Sequence, residues 1–197
     1  MGIAERKIRQ KEEVKCSILT AAWQLVKEEG WQALSIRKIA DAIEYSVPVI
    51  YDHFENKEAI LLEFTKQGFR LLADQLEKAA GEKTDPALQL ELMADAYWHF
   101  AFEHKEYYQL MYGVGMPGCE TVKRVEELHR FTSLIKSAIE RLGAKNGIKD
   151  LDPYLKLHTF WSMLHGLISI NMMNKENNEA LNTMVRKDFI KGFVAGF

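Results

Sequence analysis

The chain has 197 residues, of which 47% are hydrophobic and 27% charged, so it can bury a core and is not expected to be disordered. Its formal net charge of -2 provides no overall attraction to nucleic acid, so any DNA binding must depend on where basic side chains are placed. No apolar run approaches the roughly 18 residues that a membrane span needs, and the polar segment 1–11 does not resemble a signal peptide. We therefore expect a cytoplasmic protein.

Residues with potential for metal binding or catalysis are few. The two cysteines, Cys16 and Cys119, are too few for a disulfide framework and lie in no metal-binding motif. Histidines four residues apart on one helix face, a common metal-binding pair, are absent. The chain also contains no nucleophile elbow, phosphate loop or glycine-rich dinucleotide turn. We expect no metal, no cofactor and no enzymatic activity.

The first predicted helix runs from about Lys11 to Glu29, with one apolar face and Gly30 after its end. The polar sequence before and within its first turns is rich in basic side chains, which three glutamates oppose. This segment is either a solvated lead-in to the helix or an arm that binds phosphate, and the sequence leaves both open. The basic residues are Arg6, Lys7, Arg9, Lys11 and Lys15.

Two short helices and the start of a long one follow between Ser35 and Lys57. Ser35, Ser46 and Asn56 precede the three helices, and each side chain can accept a hydrogen bond from the free amides of a first helical turn. Helices of about two turns are unstable alone, so these two must pack on a neighbour. Their short separation predicts a helix-turn-helix. Their apolar faces consist of Ile36, Ile39, Ala40 and Ile43, and of Val47, Ile50 and Phe54.

The rest of the chain predicts helices separated by breaks rich in glycine and proline. Asp152 is expected to cap a helix that has Pro153 in its first turn and apolar residues on several sides, so that the core or another chain must cover it. Together these patterns predict an all-α fold of about nine helices. The later helices are expected at about 56–80, 86–103, 106–112, 121–142, 152–174 and 180–197, with a loop at 143–150.

Between residues 11 and 66 the chain contains an Ile-Ala pair, a turn, a capping serine and the sequence Tyr-x-His-Phe-x-x-Lys-Glu. In these motifs it resembles the amino-terminal DNA-binding domain of the tetracycline-repressor (TetR) family of bacterial regulators. The resemblance implies a homodimer with a helix-turn-helix domain, residues 1–55, and a helical ligand-binding and dimerisation domain, residues 56–197. The matching residues are Ile39, Ala40, Ser46, Tyr51, His53, Phe54, Lys57 and Glu58.

The exposed face of the second short helix is predicted to be apolar and acidic. At 100° per residue, Pro48, Val49 and Asp52 point away from its buried face. Because no Arg or Lys is present there to read guanine, we hypothesise that Pro48 and Val49 contact thymine methyl groups. The role of Asp52 is open.

Phosphate contacts are expected on both sides of this helix. Including these, the predicted DNA-binding residues are Ser35, Arg37, Ser46, Val47, Pro48, Val49, Tyr51, His53 and Lys57. The family pattern usually has glycine where this chain has Glu44, and a non-glycine residue in a left-handed turn costs about 1 kcal/mol.

The second half of the chain is similar at Trp161, His165 and Gly166 to a Trp-x-x-x-His-Gly signature of one TetR subgroup. Its aromatic residues form either an ordinary core or a pocket for a largely apolar ligand, and spacing cannot separate the two. The candidate ligand-binding residues are Trp98, Phe102, Tyr108, Met111, Phe160, Met163 and His165. As in the family, the last two long helices would form the dimer, and the candidates there are Leu157, Leu164, Ile168, Phe189 and Phe193.

Two functions remain in view. The leading prediction is a homodimeric DNA-binding regulator, a repressor released from a palindromic operator by a small apolar ligand. The alternative is a helical small-molecule-binding or interaction protein with little DNA affinity, motivated by the acidic charge balance and by Glu44, Val47 and Asp52.

Overall fold

The computed structural model describes residues 2–113, 125–173 and 178–197, which form nine α-helices and contain no β-strand. This confirms the predicted all-α fold. One 3-10 turn, Trp31–Ala33, follows the first helix. Within these residues no helix is long and apolar enough to span a membrane. The helices are α1 Ile3–Glu29, α2 Ile36–Ala42, α3 Val47–Tyr51, α4 Lys57–Ala80, α5 Pro86–Glu103, α6 Lys105–Tyr112, α7 Glu126–Lys145, α8 Pro153–Met173 and α9 Glu179–Ala195.

The chain divides into two compact units. The first unit comprises Met1–Gln67 and Glu106–Val122, and the second comprises Gly68–Lys105 and Lys123–Phe197. Neither unit is a single continuous segment of the sequence. Helix α4 contributes residues to both.

The first unit is built around one apolar cluster to which α1, α2, α3 and the start of α4 each contribute one face. Ile18 of α1, Ile39 of α2, Ile50 of α3 and Ile60 of α4 are all fully buried in it. Helices as short as α2 and α3 are stabilised by such packing rather than by their own hydrogen bonds. The cluster therefore determines where the exposed faces of both helices point.

Helix α6 completes the first unit although it is distant in sequence. The indole Nε1 of Trp31 donates a hydrogen bond of 2.8 Å to the backbone carbonyl of Glu106. The ring of Tyr107 stacks on Trp23 with centroids 4.3 Å apart, and Leu110 is fully buried in the cluster. Stacked aromatic pairs of this kind contribute about 0.5–1.5 kcal/mol beyond their buried area.

The second unit packs α5, α7, α8 and α9 around a core rich in aromatic rings. Phe131 of α7 lies between Tyr97 of α5 and Trp161 of α8, with centroid separations of 5.9 Å and 5.6 Å. The Nε1 of Trp161 donates to the hydroxyl of Tyr97 at 3.0 Å, which gives the partly buried indole N–H a partner. On α8, Phe160 packs against Phe189 of α9.

Most predicted helices agree with the structure, but two boundaries were wrong. Helix α1 begins at Ile3 rather than near Lys11, with the Glu5 carboxylate accepting from the backbone N–H of Gly2 at 2.8 Å. Helix α7 continues to Lys145 through Gly143, which was predicted to open a loop. Gly143 fits because its Cα packs against the Leu151 side chain, where a Cβ would lie 2.5 Å from the leucine Cδ2. The predicted start of this helix, at residue 121, lies outside the described residues.

Candidate functional site

The helix caps that frame α2, α3 and α4 follow the sequence with one exception. The Ser35 hydroxyl accepts from the backbone N–H of Lys38 at 3.3 Å, and the Asn56 side chain accepts from the N–H of Ala59 at 2.8 Å. Both predicted caps are present. Ser46 occupies the cap position of α3, but its side chain accepts no capping hydrogen bond. Ser46 is exposed.

The turn between α2 and α3 has the backbone conformation that the family resemblance implies. Glu44 has φ of 58°, the left-handed region that favours glycine. The N–H of Tyr45 returns to the carbonyl of Ala40 at 3.0 Å and closes the turn. A tight turn of this form sets α3 at an angle to α2, as in a helix-turn-helix.

Helix α3 has the two-sided character that its sequence predicts. Ile50 is fully buried, whereas Pro48 and Asp52 are exposed and Val49 is partly exposed. Tyr51 leaves 51% of its surface exposed. An exposed helix of this kind is available to enter a groove of a macromolecule.

The candidate phosphate-binding residues differ in exposure and in whether their side chains already make a hydrogen bond within the protein. Arg37 is exposed on α2, and His53 is partly exposed after α3. Ser35 already uses its hydroxyl as the cap of α2. The amine of Lys57 is partly buried and donates to the backbone carbonyl of Trp31 at 3.5 Å.

A cleft of about 460 Å³ lies between the first part of α1 and the end of α3. Two lysines of α1, one helical turn apart, line it together with His53 and Asp52. The two lysines precede all the family motifs. Their spacing of four residues, which places them on one helix face, was nevertheless visible in the sequence. The lining residues are Lys7, Gln10, Lys11, Val14, Asp52 and His53.

The seven candidate ligand-binding residues are divided between the two units. Tyr108 and Met111 are buried in the first unit. In the second unit, Trp98 is buried with its ring 4.6 Å from that of Phe102. Phe160 is fully buried, and Met163 is 45% exposed.

His165, the last candidate, is about half-buried on α8. Burial penalises the charged imidazolium and lowers the pKa of His165 below its usual value. The residue is therefore neutral at pH 7 and able to act as a hydrogen-bond donor or acceptor.

A buried arginine in the second unit was not predicted. Arg186 of α9 donates from Nε to the Asp95 carboxylate of α5 at 2.6 Å, and its guanidinium lies 4.8 Å from the ring centroid of Trp98. Its Nη1 is buried without a hydrogen-bond partner among the described residues. Arg186 lies three, four and seven residues before Phe189, Ile190 and Phe193, which are buried, so helical spacing was the sequence signal that could have indicated its burial.

The five candidate dimer residues, Leu157, Leu164, Ile168, Phe189 and Phe193, are all buried within the single chain. Other apolar residues of α8 and α9 are exposed instead, and a groove of about 340 Å³ runs between the two helices beside Gly166 and Phe189. Large exposed apolar patches mark interaction surfaces. We call the exposed set the apolar face: Tyr154, Leu155, Met163, Ile170, Met173, Leu181, Met184 and Val185.

A helix-turn-helix joined to a second helical unit defines a class of bacterial regulatory protein. The sequence matches the family profile "Bacterial regulatory proteins, tetR family" over residues 18–64 and the profile "Tetracyclin repressor-like, C-terminal domain" over residues 90–180. The chain belongs to the TetR family. This confirms the resemblance to the TetR family, while the similarity of the second half to the Trp-x-x-x-His-Gly subgroup stays a prediction.

Curated relatives are similar over part of their length. The uncharacterised HTH-type transcriptional regulator YobS of Bacillus subtilis is 29% identical over 47% of this chain and 48% of its own. The HTH-type transcriptional activator FasR of Mycolicibacterium smegmatis is 26% identical over 52% of this chain and 47% of its own. The chain thus spans about half the length of the curated relatives it matches.

Solved structures share the fold over nearly the whole chain. FadR from Bacillus subtilis, solved in complex with stearoyl-CoA, has a TM-score of 0.71 at 21% identity and covers 93% of this chain and 99% of its own. The TetR-family regulator PfmR from Thermus thermophilus has a TM-score of 0.64 at 24% identity, over 90% and 97% of the two chains. At these identities the likeness concerns the fold.

Proposed function

We propose that the protein is a homodimeric transcription regulator that binds a palindromic operator and represses until a small, largely apolar ligand releases it. Residues 1–55 would carry the DNA-reading elements and residues 56–197 the ligand-binding and dimerising ones. The observation that carries the proposal is the placement of α3. Its inner face is held by the core through Ile50, and its outer face presents Pro48, Val49 and Tyr51.

DNA would be read by apolar contact and positioned by phosphates. Pro48 and Val49 lack hydrogen-bonding side chains, so their selectivity would come from thymine methyl groups in the major groove. Tyr51 and His53 would bind phosphates on one side of α3, and Arg37 on the other. The remaining members of the proposed DNA-binding set are Ser35, Ser46, Val47 and Lys57.

Dimerisation would use the apolar face of α8 and α9 rather than the buried residues first considered. Exposed apolar side chains are stabilised when a second copy covers them, and a two-fold axis brings the same face of both copies together. In such a dimer the two α3 helices would read half-sites about 34–36 Å apart.

The ligand would be bound in the second unit, in a conformer that makes the buried rings of Trp98 and Phe160 accessible beside Phe102, with His165 as a polar group. FadR, whose fold this chain shares, was solved with stearoyl-CoA, and we propose an acyl ligand of the same kind here. Release from DNA requires that the ligand bind more tightly to the conformer that cannot occupy both half-sites.

The proposal is tested by selecting binding sites from random double-stranded DNA with the full-length protein at moderate salt. Enrichment of a palindrome is the expected result. Stearoyl-CoA should then release the enriched DNA, whereas coenzyme A without the acyl chain should not. If neither compound releases the DNA, the proposal of an acyl ligand is contradicted, whereas the proposal of DNA binding is unaffected.

The alternative function, a small-molecule-binding or interaction protein with little DNA affinity, is favoured by two observations. The Lys57 amine is engaged by the Trp31 carbonyl, and Asp52 is exposed on the face that would meet DNA. In that case the selection would enrich no sequence at any salt concentration.

A further inference from the structure

The first part of α1 contributes nothing to the core. Every described side chain from residue 4 to residue 13 is exposed, and the first fully buried residue of the helix is Ile18. About three turns of helix therefore extend beyond the packed part of the first unit. Burial does not stabilise these turns. Their side chains are therefore available to contact another molecule.

That surface is basic on the side facing the end of α3. Lys7 and Lys11 are one turn apart and line the cleft together with Gln10 and His53. Neither lysine has a carboxylate within salt-bridge distance among the described residues, whereas Arg9, on another side of the helix, faces Glu13 at 3.5 Å. Two unneutralised ammonium groups, an amide and an imidazole therefore line one opening.

We propose that this cleft is a second phosphate-binding surface, by which α1 contacts the DNA backbone beside the bases that α3 reads. The inference rests on the proposed function and extends it to residues of α1 that precede the helix-turn-helix. Non-bridging phosphate oxygens would accept hydrogen bonds from the amines of Lys7 and Lys11, with Gln10 and His53 as further donors.

The geometry suits a nucleic-acid strand better than a single small anion. Four residues of helix rise about 6 Å, so the two amines are placed for different phosphates of one strand rather than for one ion. The cleft, at about 460 Å³, is lined by polar groups from both α1 and the end of α3. The carboxylate of Asp52 in the same lining opposes binding of any anion and limits the affinity.

The test compares the full-length wild type with K7Q/K11Q and with K83Q/K149Q as the matched control. Both double variants remove two positive charges. Lys83 and Lys149 are exposed residues of the second unit without a salt bridge in the described part of the chain. Glutamine keeps the helix propensity of lysine, and thermal melting by circular dichroism verifies that each variant is folded. Affinity is measured from 50 to 300 mM KCl on the palindrome selected by the wild type and on scrambled DNA.

Each phosphate contact contributes about 0.9 to the slope of log affinity against log salt. We expect K7Q/K11Q to reduce the magnitude of that slope by about 1.8 for each protomer bound, and to weaken binding to palindromic and scrambled DNA by the same factor. Asp52→Asn should strengthen binding to both. The control K83Q/K149Q should keep the wild-type slope.

The inference is overturned if K7Q/K11Q keeps the wild-type slope. It is also overturned if K83Q/K149Q lowers the slope by the same amount, because the loss of net charge alone would then explain the change. Failure of the proposed function has a different outcome. In that case the wild type itself binds no DNA at 50 mM KCl, before any variant is compared, and both proposals fall.

Discussion

The ammonium group of Lys57 lies 3.5 Å from the backbone carbonyl oxygen of Trp31, so the first residue of α4 is linked to the 3-10 turn that follows α1. A hydrogen bond of this length is weak and can be exchanged for a phosphate oxygen. The same lysine can therefore hold the turn in the free protein and bind the DNA backbone in a complex.

We expect Lys57→Ala to weaken binding to all DNA sequences and to reduce the salt slope by about 0.9 per protomer, because one phosphate contact is lost. Val49→Ala should instead change which base pairs are preferred at its position, with little change in slope, because it removes methyl contacts. Gel-shift titrations at several salt concentrations measure both. Unchanged affinity and preference in the two variants would contradict this assignment.

Glu44→Gly is expected to stabilise the protein by about 0.5–1 kcal/mol. The substitution removes the strain of a side chain held at positive φ, and this gain exceeds the entropy that glycine adds to the unfolded chain. Chemical denaturation measures the free energy of unfolding. Glu44→Ala keeps a Cβ at the same φ and should show no comparable gain; equal stabilisation by both would point to charge rather than to backbone strain.

The apolar face is expected to hold two copies of the chain together. Ile170→Glu and Met184→Glu each place a charge on this face, at residues that are 56% and 68% exposed in the single chain. They should convert the dimer to a folded monomer, because burying an unpaired carboxylate costs several kcal/mol. Sedimentation velocity gives the mass. Ile8→Glu, at an exposed apolar residue of α1, is the control and should remain dimeric.

Asp95→Ala is expected to destabilise the second unit by about 2 kcal/mol, because it leaves the buried guanidinium of Arg186 without its carboxylate. This loss of unfolding free energy is smaller than the loss expected for a fully buried ion pair, because the Asp95 side chain is 41% exposed. Thermal and chemical unfolding measure it.

Asp188→Ala makes the same change on an exposed residue of α9 and should cost less than about 0.5 kcal/mol. Arg186→Met with Asp95→Ala should recover part of the loss, because the buried charge is removed as well. A double variant less stable than Asp95→Ala alone would show that Arg186 contributes through packing on Trp98.

The features of the site that the sequence predicted are local ones. Capping by Ser35 and Asn56 depends on a few neighbouring residues, so residue type and spacing are sufficient. The left-handed turn at Glu44 was expected from the family resemblance alone, because glutamate itself disfavours that conformation. The beginning of α1 was missed because its exposed residues bury nothing and produce no apolar period.

Which apolar residues of α8 are buried could not be predicted from the sequence, for a different reason. The helix is apolar on several sides, so the sequence cannot distinguish Leu157 and Leu164, which the structure buries, from Leu155 and Met163, which it leaves exposed. Only the packing of α9 and α7 decides between them. The candidate ligand-binding residues are subject to the same ambiguity, since the sequence pattern of an aromatic side chain is the same whether it fills a core or lines a pocket.

The hydrogen bond between Trp31 and the carbonyl of Glu106 limits how the protein can be recombined with others. The tryptophan and the carbonyl that accepts from its N–H belong to one compact unit but are separated in the sequence by α2, α3, α4 and α5. A chimeric regulator made by joining residues 1–67 to another effector domain would lose this bond and the Tyr107 stack on Trp23. A functional chimera must also include a counterpart of α6. The unit that can be exchanged between regulators is therefore larger than the helix-turn-helix motif.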